Sequence, residues 1–170
     1  MGCIRILLSP IAFLFGAVAM AVVVFLGFAL ALAAIGASSC YREDTWRVNE
    51  TFAAILLGVN LLAAMVGGAV ARKTGSILAV LFLAVFAATV STVPHLDSPF
   101  DATKSQRFAG RPAMRPADAQ ISDLARWTEY PDWVRYAGAL VGVTGVFFGS
   151  SIAKNATGSR KPSRGRDADG

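Results

Sequence analysis

TFAAILLGVNLLAAMVGGAVA-RK-TGSILAVLFLAVFAATVSTVPHL, residues 51–96, is the stretch whose reading decides the fold. It holds two uncharged runs of 21 and 23 residues, and its only charges, Arg72 and Lys73, stand between them. A hydrocarbon core about 30 Å thick needs about 20 apolar residues wound as helix. A soluble helix keeps a charged back to its apolar stripe, whereas these runs are apolar all round. The stretch therefore predicts two membrane-spanning helices joined by a tight antiparallel hairpin at Arg72-Lys73-Thr74, with Gly75 beside it.

Two more uncharged runs flank this pair, at residues 6–41 and 136–153. The four runs take 98 of the 170 residues, so all 27 Asp, Glu, Lys and Arg fall in the other 72. The chain is 16% charged, against about 25% in an ordinary soluble domain. Its 55% hydrophobic content excludes a disordered chain, and two cysteines exclude a disulfide-framed module. The expected fold class is an all-α membrane protein: a four-transmembrane-helix bundle with a short amphipathic outer helix. The spans are expected at about 10–37, 51–71, 75–94 and 133–153, in one domain over residues 1–153. The lipid bilayer is its first partner.

The first run is too long for one straight crossing. Ser9-Pro10 divides it, with Ser suited to an N-cap and Pro to the first helical position. Excess length is absorbed by tilt. A cleaved signal has an apolar region of about 7–15 residues, so this longer one is expected to be retained. Gly36-Ala37-Ser38-Ser39-Cys40 loosely resembles a lipobox, but Cys40 stands late and Ala37 occupies the usual Leu position. Met1-Gly2-Cys3 departs from the myristoylation pattern at Ile6. Cys3 and Cys40 flank one span, so they are expected as two unpaired thiols. The last helix is expected to start near Asp132, which complements the helix dipole.

Four crossings put both termini on one face. That face holds Arg5, Arg72, Lys73, Lys154, Arg160, Lys161, Arg164 and Arg166 against Asp167 and Asp169, a net of +6. The other face carries eight basic and nine acidic residues, a net of −1. Lys and Arg alone tie, and their position decides: most outer ones lie in one long loop, away from the helix ends. Both termini are expected in the cytoplasm and the chain in the plasma (inner) membrane. Residues 154–170 are expected to form a disordered basic tail. Every Trp and Tyr falls on the outer side: Tyr41, Trp46, Trp127, Tyr130, Trp133 and Tyr136. They form either an interfacial anchor or a ligand-binding patch, of which His95, Trp46, Trp127, Tyr130 and Trp133 are the candidate members.

The outer loop, residues 97–132, is irregular at first. After Pro116, the stripe Ala117, Ile121, Leu124, Ala125 and Thr128 has helical spacing, with Asp118, Asp123 and Arg126 off it. This predicts the short amphipathic helix.

Within the membrane, helices associate by close packing and interhelical hydrogen bonds. Gly138, Gly142, Gly145 and Gly149 lie within about 60° on one face of the last helix. They are expected to pack either on another helix of the same chain or on a second copy. Ala53, Asn60, Ala64, Gly67 and Ala71 form a similar stripe, as do Ala84, Ala88 and Ser91. Asn60 is the only carboxamide within a span, about 13 Å below the outer helix end. It serves either interhelical bonding or substrate contact.

His95, the sole histidine, lies just past Pro94 with Asp97 and Glu50 near in depth, and a pH-sensitive Glu50–His95 contact is one expectation. One His does not make a metal site. No span holds Asp, Glu or His-type proton relays, no C-x-x-C serves thiol oxidation, and no zinc-protease or phosphate-loop motif occurs. No catalytic residue, metal or cofactor is expected, and no nucleic-acid partner.

Residues 64–75, AMVGGAVARKTG, followed by an apolar span and then Pro131-Asp132-Trp133 before a Gly-rich span, resemble a group of small uncharacterised four-pass bacterial membrane proteins. The resemblance covers about residues 50–153 and implies a four-pass fold without an activity.

The leading functional expectation is a non-enzymatic accessory or scaffold bundle, with a homo-oligomer or a membrane-protein partner. The alternatives are a small carrier or channel subunit for a neutral or lipophilic solute, and a membrane enzyme using His95, Arg107, Arg111 and Arg115. A water-filled cavity reaching Asn60 favours the carrier; convergence of those arginines on His95 favours the enzyme; a dry core favours the scaffold.

Overall fold

The structure, a computed structural model, describes residues 8–43, 45–92, 110–116, 119–120, 123–124 and 127–158. Five helices are described: α1 (Ser9–Ile35), α2 (Ala37–Cys40), α3 (Glu50–Thr74), α4 (Ile77–Thr92) and α5 (Asp132–Gly158). Three of them, α1, α3 and α5, are long and apolar enough to cross a membrane. The described α4 has 16 residues, about 24 Å at 1.5 Å per residue, short of a full crossing. Val93 and Pro94, expected to complete it, lie outside the described residues, as do His95, Arg107, Cys3 and the tail from residue 159.

Local chemistry sets the helix ends, in several places differently from expectation. Ser9 is not the N-cap of α1 but its first residue; the cap position falls to Leu8, with no side-chain bond. The Ser9 hydroxyl is engaged elsewhere, 2.6 Å from the Ser76 hydroxyl across the bundle. α1 stops at Ile35 rather than near Ala37, because Gly36 takes φ 84° and its N–H returns to the Leu32 carbonyl. Only glycine enters that region without strain. α3 opens on an Asn49 cap whose side chain accepts from Phe52 N at 2.7 Å. It runs on through Arg72, Lys73 and Thr74, the residues expected as the connection. Cations in a last turn satisfy the carbonyl end of the helix dipole. The turn is instead Gly75-Ser76, and Ser76 Oγ accepts from Leu78 N as α4 begins. α5 continues past the expected end at residue 153 to Gly158.

α3 is the central helix, with α1 and α5 packed on its two flanks and α4 closing against α5. The interior is built from small residues: Ala12, Ala63, Ala64, Ala71, Ala79, Ala84 and Ala87 are buried, around Leu83 and Val146. The large side chains face outward, among them Phe15, Val18, Phe25 and Leu30 on α1, Val85 on α4 and Leu140 on α5. A soluble protein does the reverse. Lipid is as apolar as these side chains, so nothing drives them inward, and close approach of backbones becomes the source of cohesion.

Glycines mark the closest approaches. A Cβ on Gly149 would lie 1.9 Å from the Met65 carbonyl oxygen, and one on Gly68 would lie 2.1 Å from that of Val146. Gly145 meets Ala64 and Leu61, Gly142 meets Ala87, and Gly138 meets Ser91. The glycine face of α5 is thus occupied by α3 and α4 of the same chain. Gly67 faces Gly16 of α1, each within 2.9 Å of the other's carbonyl oxygen once given a Cβ.

At the end opposite the Gly75-Ser76 turn, the described parts of 36–49 and 110–131 fold into a cap. It contains no regular strand among the described residues. Two isolated bridges, Tyr41 with Val48 and Arg47 with Glu129, tie its segments. Of the expected amphipathic stripe, Ala117, Ile121 and Ala125 lie outside the described residues. Leu124 and Thr128 are buried in the cap, with helical bonds from Leu124 N to Gln120 O and from Thr128 N to Leu124 O.

Candidate functional site

A cavity of about 570 Å³ lies among α1, α3, α4 and α5 in the half of the bundle nearer the cap. Its walls come from Met20, Val24 and Phe28 on α1, Leu57 and Val59 on α3, and Phe86 and Val90 on α4. The volume falls inside the roughly 300–1,000 Å³ range of small-molecule sites, whose linings are mainly apolar with a few placed polar groups. The helices leave this space because α1 and α5 stand on opposite flanks of α3. Near the turn, small residues draw the helices together. Toward the cap, Phe25, Phe28 and Phe86 line the space.

The polar lining is sparse and uncharged in its depth. Asn60, on α3, donates from Nδ2 to the Gly138 carbonyl of α5, a long bond at 3.4 Å. Among the described residues no donor reaches its Oδ1. Ser91 of α4 donates to the Ala87 carbonyl of its own helix at 2.9 Å, which leaves its oxygen lone pairs to accept. Gly138 is where the two meet: a Cβ there would lie 3.7 Å from Ser91 Oγ. One turn nearer the cap, Arg135 lines the cavity together with Tyr130. Its guanidinium is 3.2 Å from the Asp132 carboxylate and lies over the Tyr136 ring.

The cap roofs this space. Phe28, Leu56, Tyr130 and Val134 line the cavity and also pack against the buried cap core of Leu32, Cys40, Tyr41, Trp46, Val48, Phe52, Ala53 and Leu124. Trp46 and Trp127 meet edge-to-face at 5.0 Å, and Trp46 Nε1 donates to the Pro112 carbonyl at 3.0 Å. The Tyr41 and Thr128 hydroxyls are 2.7 Å apart. Thr128 donates onward to the Leu124 carbonyl, so Tyr41 is the donor of the pair. Burial pushes the Tyr41 phenol and the Cys40 thiol above their ordinary pKa values. In both groups the nearby Arg115 opposes that rise.

The residues singled out from sequence separate into distinct places. Trp46 is buried in the cap, Trp127 and Tyr130 are half-buried, and Trp133 is exposed on α5. Trp46 and Tyr41 are therefore core residues of the cap, withdrawn from any interfacial belt; Trp133 and Tyr136 keep exposed rings. Glu50 approaches Arg42 at 3.9 Å, while its expected neighbour His95 lies outside the described residues. Arg111 pairs with Glu129, and Arg115 donates to the Thr45 carbonyl and lies over the Tyr41 ring. Both arginines hold the cap together. Among the described residues no group of His, Cys, Asp and Glu could hold a metal ion. A cavity at Asn60 was one alternative of the sequence; Arg135 in its lining was not among the expected residues. A charged residue three positions before Gly138 shares its helix face, and that spacing was the available signal. Comparison with protein families, curated proteins and solved structures yields no match.

Proposed function

We propose that the chain is an integral membrane protein of four crossings, both termini cytoplasmic, that binds and carries a lipophilic, uncharged solute. The cavity reaching Asn60 carries this reading: a scaffold whose task is only to hold a partner has no use for an apolar space of this size. The pocket opens on the helix surface, where its lining residues Phe25 and Val90 are exposed, and on that side its walls lack protein contacts. A resident ligand supplies contacts there. The glycine face of α5 is taken up within the chain, so oligomerisation through it does not support the scaffold reading. Of the arginines on which an enzyme would rely, Arg111 and Arg115 are engaged within the cap.

Titration of the purified protein with an apolar environment-sensitive fluorophore, in mild detergent, tests the reading. Saturable binding at one site per chain is expected, with loss in Leu57→Trp, which fills the cavity from its wall. Binding that never saturates, or that Leu57→Trp leaves unaltered, sinks it.

A further inference from the structure

We infer that the solute is a neutral amphiphile bearing a hydroxyl group, a long-chain alcohol in chemical class, read by Asn60 together with Ser91. This rests on the cavity being a binding site, as proposed above. An amide inside the bilayer core is costly unless its hydrogen bonds are made. Asn60 makes one long bond to the Gly138 carbonyl, and its Oδ1 receives no donor among the described residues. Interhelical bonding alone explains the Nδ2 contact and leaves the acceptor over.

The chemistry at this point is selective. Asn60 Oδ1 and Ser91 Oγ both accept, and Asn60 Nδ2 has a second N–H to give. A hydroxyl is donor and acceptor at once, so it satisfies both halves of the amide. An ether accepts only, and leaves Oδ1 bare. A carboxylate brings a full charge, and the one cation of the lining, Arg135, stands a turn from Gly138 toward the cap and is already 3.2 Å from the Asp132 carboxylate. The apolar walls between Val90 and Met20 accommodate the tail.

Displacement of the bound fluorophore by hexadecanol, hexadecyl methyl ether and palmitate, at matched mole fraction in the micelle, tests the inference. Hexadecanol is expected to compete better than its methyl ether by roughly three- to thirtyfold, the span that one hydrogen bond within a bilayer covers. Asn60→Leu should bring the two to parity while the fluorophore still binds, and Ser91→Ala should narrow the gap without closing it. Unchanged circular dichroism certifies that each variant folds. Equal competition by alcohol and ether in the parent protein overturns the hydroxyl inference and leaves the cavity reading standing. Palmitate as the best competitor overturns it in favour of recognition at Arg135. Failure of the fluorophore to bind removes both readings together.

Discussion

The bundle and the cap are held together by opposite means. In the bundle the buried positions are mainly alanine and glycine around Leu83, Val80 and Val146, and most large side chains point out. In the cap the buried positions are Tyr41, Trp46, Phe52 and Leu124, and directional bonds such as Trp46 to Pro112 and Tyr41 to Thr128 fix their geometry. The difference matches helices long and apolar enough to cross a membrane beside a segment that is not. Water drives apolar surface inward at about 25 cal/mol per Å², so a segment outside the membrane builds a core from large side chains. Lipid offers no such drive, and cohesion depends on how nearly two backbones can touch. The cavity lies where the two regimes meet, walled by the bundle and roofed by the cap.

The largest effect is expected at the tightest backbone contact. Gly149→Leu places side-chain atoms where the Met65 carbonyl stands, and exceeds the roughly 1–3 kcal/mol of an ordinary overpacked core. Thermal unfolding in detergent should show little or no native bundle. Gly58→Leu is the matched control, since nothing lies within 4 Å of a Cβ there, and its melting should follow the parent. Gly142→Leu falls between them, against the Ala87 side chain; if it leaves stability unchanged, the packing account is wrong.

Next comes Trp46→Ala, which removes the edge-to-face pair and orphans the Pro112 carbonyl. A loss of about 3–5 kcal/mol is typical of such truncations. It should fall on the cap: near-ultraviolet dichroism lost, far-ultraviolet helicity kept. Parallel loss of both signals would show that cap and bundle melt as one unit, and the contrast between them would dissolve.

Tyr41→Phe is milder. One hydrogen bond to Thr128 goes, worth about 1 kcal/mol, and hydrogen exchange of the cap amides should quicken accordingly. The same residue supplies a pH test. The folded cap holds the Tyr41 and Cys40 protons more firmly than the unfolded chain does. Its stability is therefore complete below their ordinary pKa values and declines as pH rises toward the raised ones. An alkaline titration of near-ultraviolet dichroism should show this decline, and Tyr41→Phe with Cys40→Ala should flatten it. The smallest effect belongs to Glu50→Gln, which breaks an exposed 3.9 Å pair with Arg42; about 0–1 kcal/mol is the measure of such pairs.

Elements whose cause is local were legible. The uncharged runs announced the helices, Pro10 the start of α1 and Asp132 the start of α5. The misjudged ends are those that a distant partner decides. Ser9 looked like a cap, but its hydroxyl is engaged by Ser76, 67 positions away. Arg72 and Lys73 looked like a connection because charge was taken to end a span, whereas a helix tolerates cations in its last turn. For the site, Asn60 stood out as an amide in an apolar run. Its acceptor's lack of a partner depends on where α4 and α5 stand, which no pattern within α3 encodes. The aromatic residues of the outer side were legible as a group but not as two groups, because the pairing of Tyr41 with Thr128 joins segments 87 positions apart.

Length and charge, by themselves, determined that this chain forms long apolar helices, since the cost of burying charge in hydrocarbon keeps Asp, Glu, Lys and Arg out of them whatever the partners. Only the tertiary structure decided which small residues touch, which aromatic rings become core, and that a cavity remains beneath the cap. Those outcomes are set by how backbones approach across the bundle, and distances between helices are a property of the packed whole.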